Sequence, residues 1–140
     1  CSVKEVLPPQ SFDIAICNQP YRGSASGRIN PDSEKRIARH EIKGQLMDFL
    51  QAGSYLLPRG GRMALVYPAT RMVDLLLAMR QAAIEPKRLR LVHSFEGAAA
   101  TLVLAEGIKG AGSELKILPP LVVYTKERQY APEIRAMLGV

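Results

Sequence analysis

The chain has 140 residues, enough for one domain or a large part of one. Hydrophobic residues make up 47% and charged residues 23%, which supplies core material and excludes wholesale disorder and a membrane-spanning apolar run. The net charge of +6 admits an acidic partner such as nucleic acid without requiring one.

Taken in chain order, the first apolar run is Phe12-Asp13-Ile14-Ala15-Ile16-Cys17. Its β-branched content and the stop at Pro20 predict a buried strand. A Gly/Ser/Arg/Pro-rich stretch from Arg22 to Ser33 reads as a loop. From Glu34 to Leu57 the apolar residues Ile42, Leu46, Phe49, Leu50, Tyr55, Leu56 and Leu57 recur at helical spacing. Pro58 and Gly60-Gly61 close that helix. Arg62 to Tyr67 predicts a second buried strand. Thr70 is then a candidate N-cap for a helix with the stripe Met72, Leu75, Leu76, Met79 and Ala83, ended by Pro86.

Lys87 to Val92 alternates leucine with arginine and predicts a strand with one wet face. Ala99 to Ala105 predicts another, and Glu114–Leu118 and Leu121–Thr125 give one or two short ones. The glycines in Gly107-Ile108-Lys109-Gly110-Ala111-Gly112 have no following helix and read as a surface turn rather than a phosphate loop. The tail from Glu127 holds one short helix at most. Strands alternating with helices predict an α/β fold with a parallel sheet. The late run of strands predicts an antiparallel addition at or near the sheet's end.

Two cysteines, Cys1 and Cys17, make no disulfide framework, and two distant histidines, His40 and His93, make no zinc site. A reducing, cytoplasmic setting is the expectation, supported by an N-terminus without an apolar leader. The chain begins with Cys rather than Met, as expected of a processed or partial chain.

The candidate site is Asn18-Gln19-Pro20-Tyr21. In open α/β sheets the ligand crevice lies beyond the carboxyl ends of the strands. An exocyclic amine needs acceptors that hold its hydrogens and steer its lone pair. The Asn18 side-chain oxygen is one, and the Gln19 carbonyl, held outward by Pro20, is another. Tyr21 offers a flat face on which a base stacks, worth about 1–3 kcal/mol. A strand-ending turn would use Asn and Pro for backbone reasons alone. Between Arg22 and Lys43 lie six basic and three acidic residues, half of the net charge. Arg22, Arg28, Arg36 and Arg39 are thus candidates for gripping phosphate, with a solvated loop and helix face as the alternative. His40 and Glu41 read as an exposed helix pair.

This tetrapeptide resembles the Asn-Pro-Pro-Tyr signature of class I SAM-dependent N-methyltransferases. Phe12-Asp13, Ala38-Arg39-His40-Glu41, Gly60-Gly61-Arg62, Pro119-Pro120-Leu121-Val122-Val123-Tyr124 and Tyr130-Ala131-Pro132-Glu133 narrow the resemblance to bacterial tRNA adenine-N6 methyltransferases. It runs from about Phe12 to the C-terminus. It implies the C-terminal half of a Rossmann-like methyltransferase sheet over 1–140, with parallel strands followed by an antiparallel addition. It also implies Asn18, Gln19, Pro20 and Tyr21 as catalytic residues, Asn18 beside S-adenosyl-L-methionine, and tRNA as the partner.

Gln19 stands where the family has Pro, which frees the unfolded chain by roughly 0.4–1 kcal/mol but leaves the carbonyl in place. The family's glycine-rich cofactor turn belongs upstream, and Cys1 to Ser11 hold no glycine. The expectation is that the SAM-binding strands lie outside this chain. Three other outcomes stay open: transfer to a protein glutamine amide, transfer to DNA adenine, and a non-catalytic RNA- or partner-binding fragment. An unpaired sheet edge where the upstream strands belong favours a homo-oligomer.

Overall fold

The computed structural model describes residues 2–18 and 31–140, with the backbone alone for 31–42. The elements are α1 (Val3–Val6), β1 (Ile14–Asn18), α2 (Pro31–Leu56), β2 (Arg62–Pro68), a 3₁₀ turn (Ala69–Arg71), α3 (Met72–Gln81), β3 (Ile84–Phe95), β4 (Ala100–Lys109), β5 (Lys116–Ile117), β6 (Leu121–Tyr124) and α4 (Pro132–Leu138).

The strands form one mixed sheet ordered β1-β2-β4-β3, with β5 and β6 both on the outer side of β3. β1 and β2 are parallel, β4 is antiparallel to both β2 and β3, and β5 and β6 run parallel to β3. The fold is α/β, as expected, but the antiparallel strand is not where the sequence put it. β4 lies inside the sheet, between β2 and β3. The hairpin from β3 folds back so that β4 fills the gap that two parallel neighbours would leave, and β3 keeps the direction of β2.

Alternation along the strands sorts their residues between two faces. Cys17, Met63, Leu65, Tyr67, Leu89, Val103 and Ala105 point to one core with α2 and α3. From α2 come Leu46 and Leu50, with Leu57 just beyond its end; from α3, Leu75, Ala78 and Met79. Each such leucine taken from water contributes roughly 1.5–3 kcal/mol. The α2 stripe differs from the expected one. Phe49 is exposed, and the fourth buried position is Gly53. A Cβ at Gly53 would stand 2.5 Å from the Met63 sulfur, so the glycine lets β2 approach the helix. Lys109 at the end of β4 donates from Nζ to the carbonyls of Ser54 and Leu57, satisfying the carboxyl end of α2 with a cation.

Two helix boundaries also differ. α3 ends at Gln81 rather than at Pro86, because Ala83 takes a left-handed backbone (φ 61°) that turns the chain into β3. Pro86 is buried within β3 opposite Gly107, and the register shifts between Pro86 and Arg88; a residue without an N–H is tolerated in a sheet at such an irregularity. Thr70 lies in the 3₁₀ turn, and the α3 N-cap is Arg71, with no side-chain capping bond. Among the described residues no helix is long and apolar enough to cross a membrane.

Gly107 belongs to β4 rather than to a surface turn. A Cβ there would meet Ile84 Cγ2 at 2.5 Å, Met79 Cε at 2.6 Å and the Glu85 carbonyl oxygen at 3.0 Å. Gly107→Ala should therefore lower the unfolding free energy by about 1–3 kcal/mol through overpacking, measured by urea denaturation. An unchanged midpoint would mean that α3, β3 and β4 are not in close contact there.

Candidate functional site

The second face of the sheet carries the other half of each alternation. Ile14, Ile16 and Asn18 of β1 stand opposite Arg62, Ala64 and Val66 of β2. Across β4 and β3 the row continues through Leu104 and Glu106 to Arg90 and Arg88. No helix of the described residues packs over the β1–β2 end of this face. Ile14 is 61% exposed and Ile16 80% exposed. Beside Ile16 a shallow trough of about 260 Å³ runs along Ala64, Val66 and Leu104 to Arg88 and Arg90. Sheets built from parallel strands are normally covered on both sides, and a contiguous apolar surface of this kind marks an interaction site.

The far side of the same face is closed by the C-terminal segment. Arg90 donates from Nε to the Pro119 carbonyl at 2.8 Å and pairs with Glu133 of α4 at 2.7 Å. Arg88 pairs with its cross-strand neighbour Glu106 at 3.0 Å. The arginines expected on a wet face are therefore partly used to hold α4 and to tie β3 to β4.

Because β4 is the one reversed strand among the long ones, β1, β2, β3 and β6 all end at the same edge of the sheet. Asn18 is the last residue of β1, Pro68 of β2, Phe95 of β3 and Tyr124 of β6. Asn18 is exposed, lies level with Val66, and shares the open face with Ile14 and Ile16. It thus ends β1 on the face that carries the trough, at the edge where ligands of α/β sheets bind. Gln19, Pro20, Tyr21, Arg22 and Arg28 lie outside the described residues, as do the side chains of Arg36, Arg39, His40 and Glu41, whose backbone belongs to α2. Among the described residues no three His, Cys, Asp or Glu side chains gather to hold a metal.

Behind this edge, Asp74 of α3 receives Lys43 of α2 at 3.2 Å and Arg71 at 3.5 Å. Exposed pairs of this kind contribute little stability, but they fix α3 against α2 just below the end of β2. Tyr67 is buried between them and the core. Burial pushes its phenol above the ordinary value of 10.0; Arg71 opposes the shift and Asp74 adds to it.

No family model matches the chain. It is similar to the tRNA1(Val) (adenine(37)-N6)-methyltransferase of Porphyromonas gingivalis, 27% identical over 135 residues, covering 94% of this chain and 52% of that protein. Among solved structures, a predicted O-methyltransferase from Agrobacterium tumefaciens superposes with a TM-score of 0.72 at 19% identity, covering 98% of this chain and 55% of the other. This chain has the same fold as about half of that protein. A putative DNA modification methylase from Thermus thermophilus in complex with S-adenosyl-L-methionine gives a TM-score of 0.54 at 14% identity, again over 54% of its own length. The chain spans about half the length of the curated relatives it matches.

The Tyr67 shift has a definite sign. A phenol whose folded pKa is raised contributes stability that is complete below the unfolded value near 10.0 and is lost as pH rises through the folded value. Urea midpoints compared between pH 8 and about pH 11 should fall further for the wild type than for Tyr67→Phe. Equal falls would mean that the phenol is not held neutral by burial.

Proposed function

We propose that this chain is the amine-presenting part of a SAM-dependent N-methyltransferase that acts on adenine N6 in tRNA as part of a longer chain. The observation that carries the reading is Asn18: an exposed amide at the carboxyl end of β1, on the open face, followed in sequence by Gln19-Pro20-Tyr21. The tRNA adenine-N6 methyltransferase of P. gingivalis, aligned over 94% of this chain, supports the substrate class. So does the basic stretch from Arg22 to Lys43, which is of the sign that phosphate contacts need.

The chemistry asks little of ionisable groups. A base flipped out of its stack, or splayed in a loop, would lie on Tyr21. The Asn18 side-chain oxygen and the Gln19 carbonyl accept the two amine hydrogens, which turns the nitrogen lone pair toward the crevice. S-adenosyl-L-methionine, when bound, supplies an electrophilic methyl group on a sulfonium sulfur. An amine held in this way by Asn18 and Gln19 would be the acceptor for that methyl group, with the sulfur left as a thioether and one proton released from the nitrogen to solvent. Positioning and the fixed dipoles of Asn18 and Gln19 carry the rate.

The described residues provide this amine side and no cradle for the cofactor's ribose or adenine. Gly107 is packed in β4, and Gly110 and Gly112 precede β5 rather than a helix, so none opens a helix toward a ligand. The bare apolar face and the outer side of β1, which pairs only with β2 among the described strands, are the seat for the cofactor-binding half. Without that half, the same face would be buried against a second copy of the chain.

In the full-length protein, Asn18→Ala and Tyr21→Ala should each lower methyl transfer to tRNA roughly 10²-fold or more. Transfer is measured with labelled SAM on tRNA, duplex DNA and protein substrates side by side. Near-wild-type turnover in both variants would remove the motif from the mechanism. Preferential transfer to DNA or to a protein amide would keep the mechanism and replace the substrate.

A further inference from the structure

The edge of the sheet that carries Asn18 also carries a second feature, at its other end. Phe95 at the end of β3 stands level with Tyr124 at the end of β6, and Tyr124 is bridged to Tyr130. Their rings form a ladder. Phe95 and Tyr124 are 5.7 Å apart between centroids and tilted by 37°, and Tyr124 and Tyr130 are 5.5 Å apart and nearly parallel at 16°. The ladder is not sealed: Tyr130 is 45% exposed and Phe95 36% exposed. A pair already stacked face to face with an open outer ring is the geometry onto which another flat ring adds.

The turn that joins Tyr124 to Tyr130 is Thr125-Lys126-Glu127-Arg128-Gln129. It is closed by the Thr125 N–H donating to Gln129 O at 2.8 Å and the Arg128 N–H donating to Thr125 O at 3.0 Å. Lys126, Glu127 and Arg128 are all exposed. Arg128 sits at φ 59°, in the left-handed region that a long side chain occupies at a cost and glycine occupies freely. Just beyond, Glu133 is engaged by Arg90, while Arg135 in the same short helix is exposed. The charge left facing solvent here is that of Lys126, Arg128 and Arg135 against Glu127 and, next to Phe95, Glu96.

β6 lies four strand spacings from β1 along the sheet order, which is about 19 Å. That is a few nucleotides of extended single strand. We propose that the Phe95–Tyr124–Tyr130 ladder and the Arg128 turn form a second contact surface for single-stranded RNA, on which a base flanking the target stacks on Tyr130 while Arg128 meets phosphate. The proposal rests on the tRNA reading above and deepens it, because it gives the substrate a second foothold on the same edge as Asn18. Single-stranded RNA is favoured over a protein partner because the two open rings, Phe95 and Tyr130, lie beside exposed cations, the pairing of stacking face and positive charge that bases and phosphates use.

The test uses the full-length protein and a fluorescein-labelled, unmodified tRNA transcript, with affinity read by anisotropy at several salt concentrations. Tyr130→Ala should weaken binding roughly ten-fold, and Tyr130→Phe should restore it, because stacking needs the ring and not the hydroxyl. Arg128→Gly should lower the slope of log Kd against log salt by about one, with a melting temperature no lower than wild type, since glycine relieves the left-handed position. Wild-type affinity and salt slope in both Arg128→Gly and Tyr130→Ala, against a wild type that binds tRNA, would overturn this surface and leave the methyltransferase reading standing. So would weakened binding confined to variants whose melting temperature falls. A wild-type protein that binds no RNA but methylates duplex DNA or a protein would overturn this surface together with the tRNA substrate, and leave only the methyl-transfer mechanism.

Discussion

The long strands of this sheet fill two faces with alternate residues, and among the described residues α2 and α3 seal only one of them. That constraint organises the rest of the molecule. Cys17, Met63, Leu65, Tyr67, Val103 and Ala105 can point together at α2 and α3 only if Ile14, Ile16, Ala64, Val66 and Leu104 point together the other way. The β1–β2 end of the second face is then left apolar and uncovered, with Asn18 at its rim. The exposed isoleucines are not a packing failure. They are the expected other side of strands whose first side is well packed, and a face of this kind is normally covered.

The reversed strand matters as much. Because β4 runs antiparallel between β2 and β3, the parallel strands β1, β2, β3 and β6 all deliver their ends to one edge. Asn18 and the aromatic ladder therefore share that edge although Phe95 lies 77 positions, and Tyr130 112 positions, further along the sequence. Lys109, anchoring the carboxyl end of α2, and Arg90, anchoring α4, show how β4 and β3 also organise what lies on each side of them.

The strand that ends in Asn18 was legible because an apolar β-branched run stops at a polar residue and Pro. The helices were legible from their periodicity. Three things were not. The place of β4 depends on a choice between sheet positions, which no local pattern encodes. The end of α3 was hidden because Ala83 occupies a left-handed position that a glycine would have advertised. The buried side of α2 was misassigned around Phe49 because Gly53, with no side chain to count as apolar, is the residue that faces Met63. At the site, Asn18 could be named from the motif and its place after a strand. Phe95, Tyr124 and Tyr130 could not be linked, because their contacts cross strands and only the register of β3 with β6 brings them level. The roles of Gln19, Pro20, Tyr21, Arg22 and Arg28 rest on the motif and the charge pattern.

The division of labour proposed above has this chain presenting the amine and a cofactor-binding half completing the sheet along β1 and its bare face. The most direct measurement is a calorimetric titration of S-adenosyl-L-methionine into the 140-residue chain and, in parallel, into the full-length protein. The expected result is no detectable heat with the 140-residue chain and one-to-one binding with the longer protein. One-to-one binding of the cofactor by the 140-residue chain alone would contradict the division and place the cofactor site among these residues.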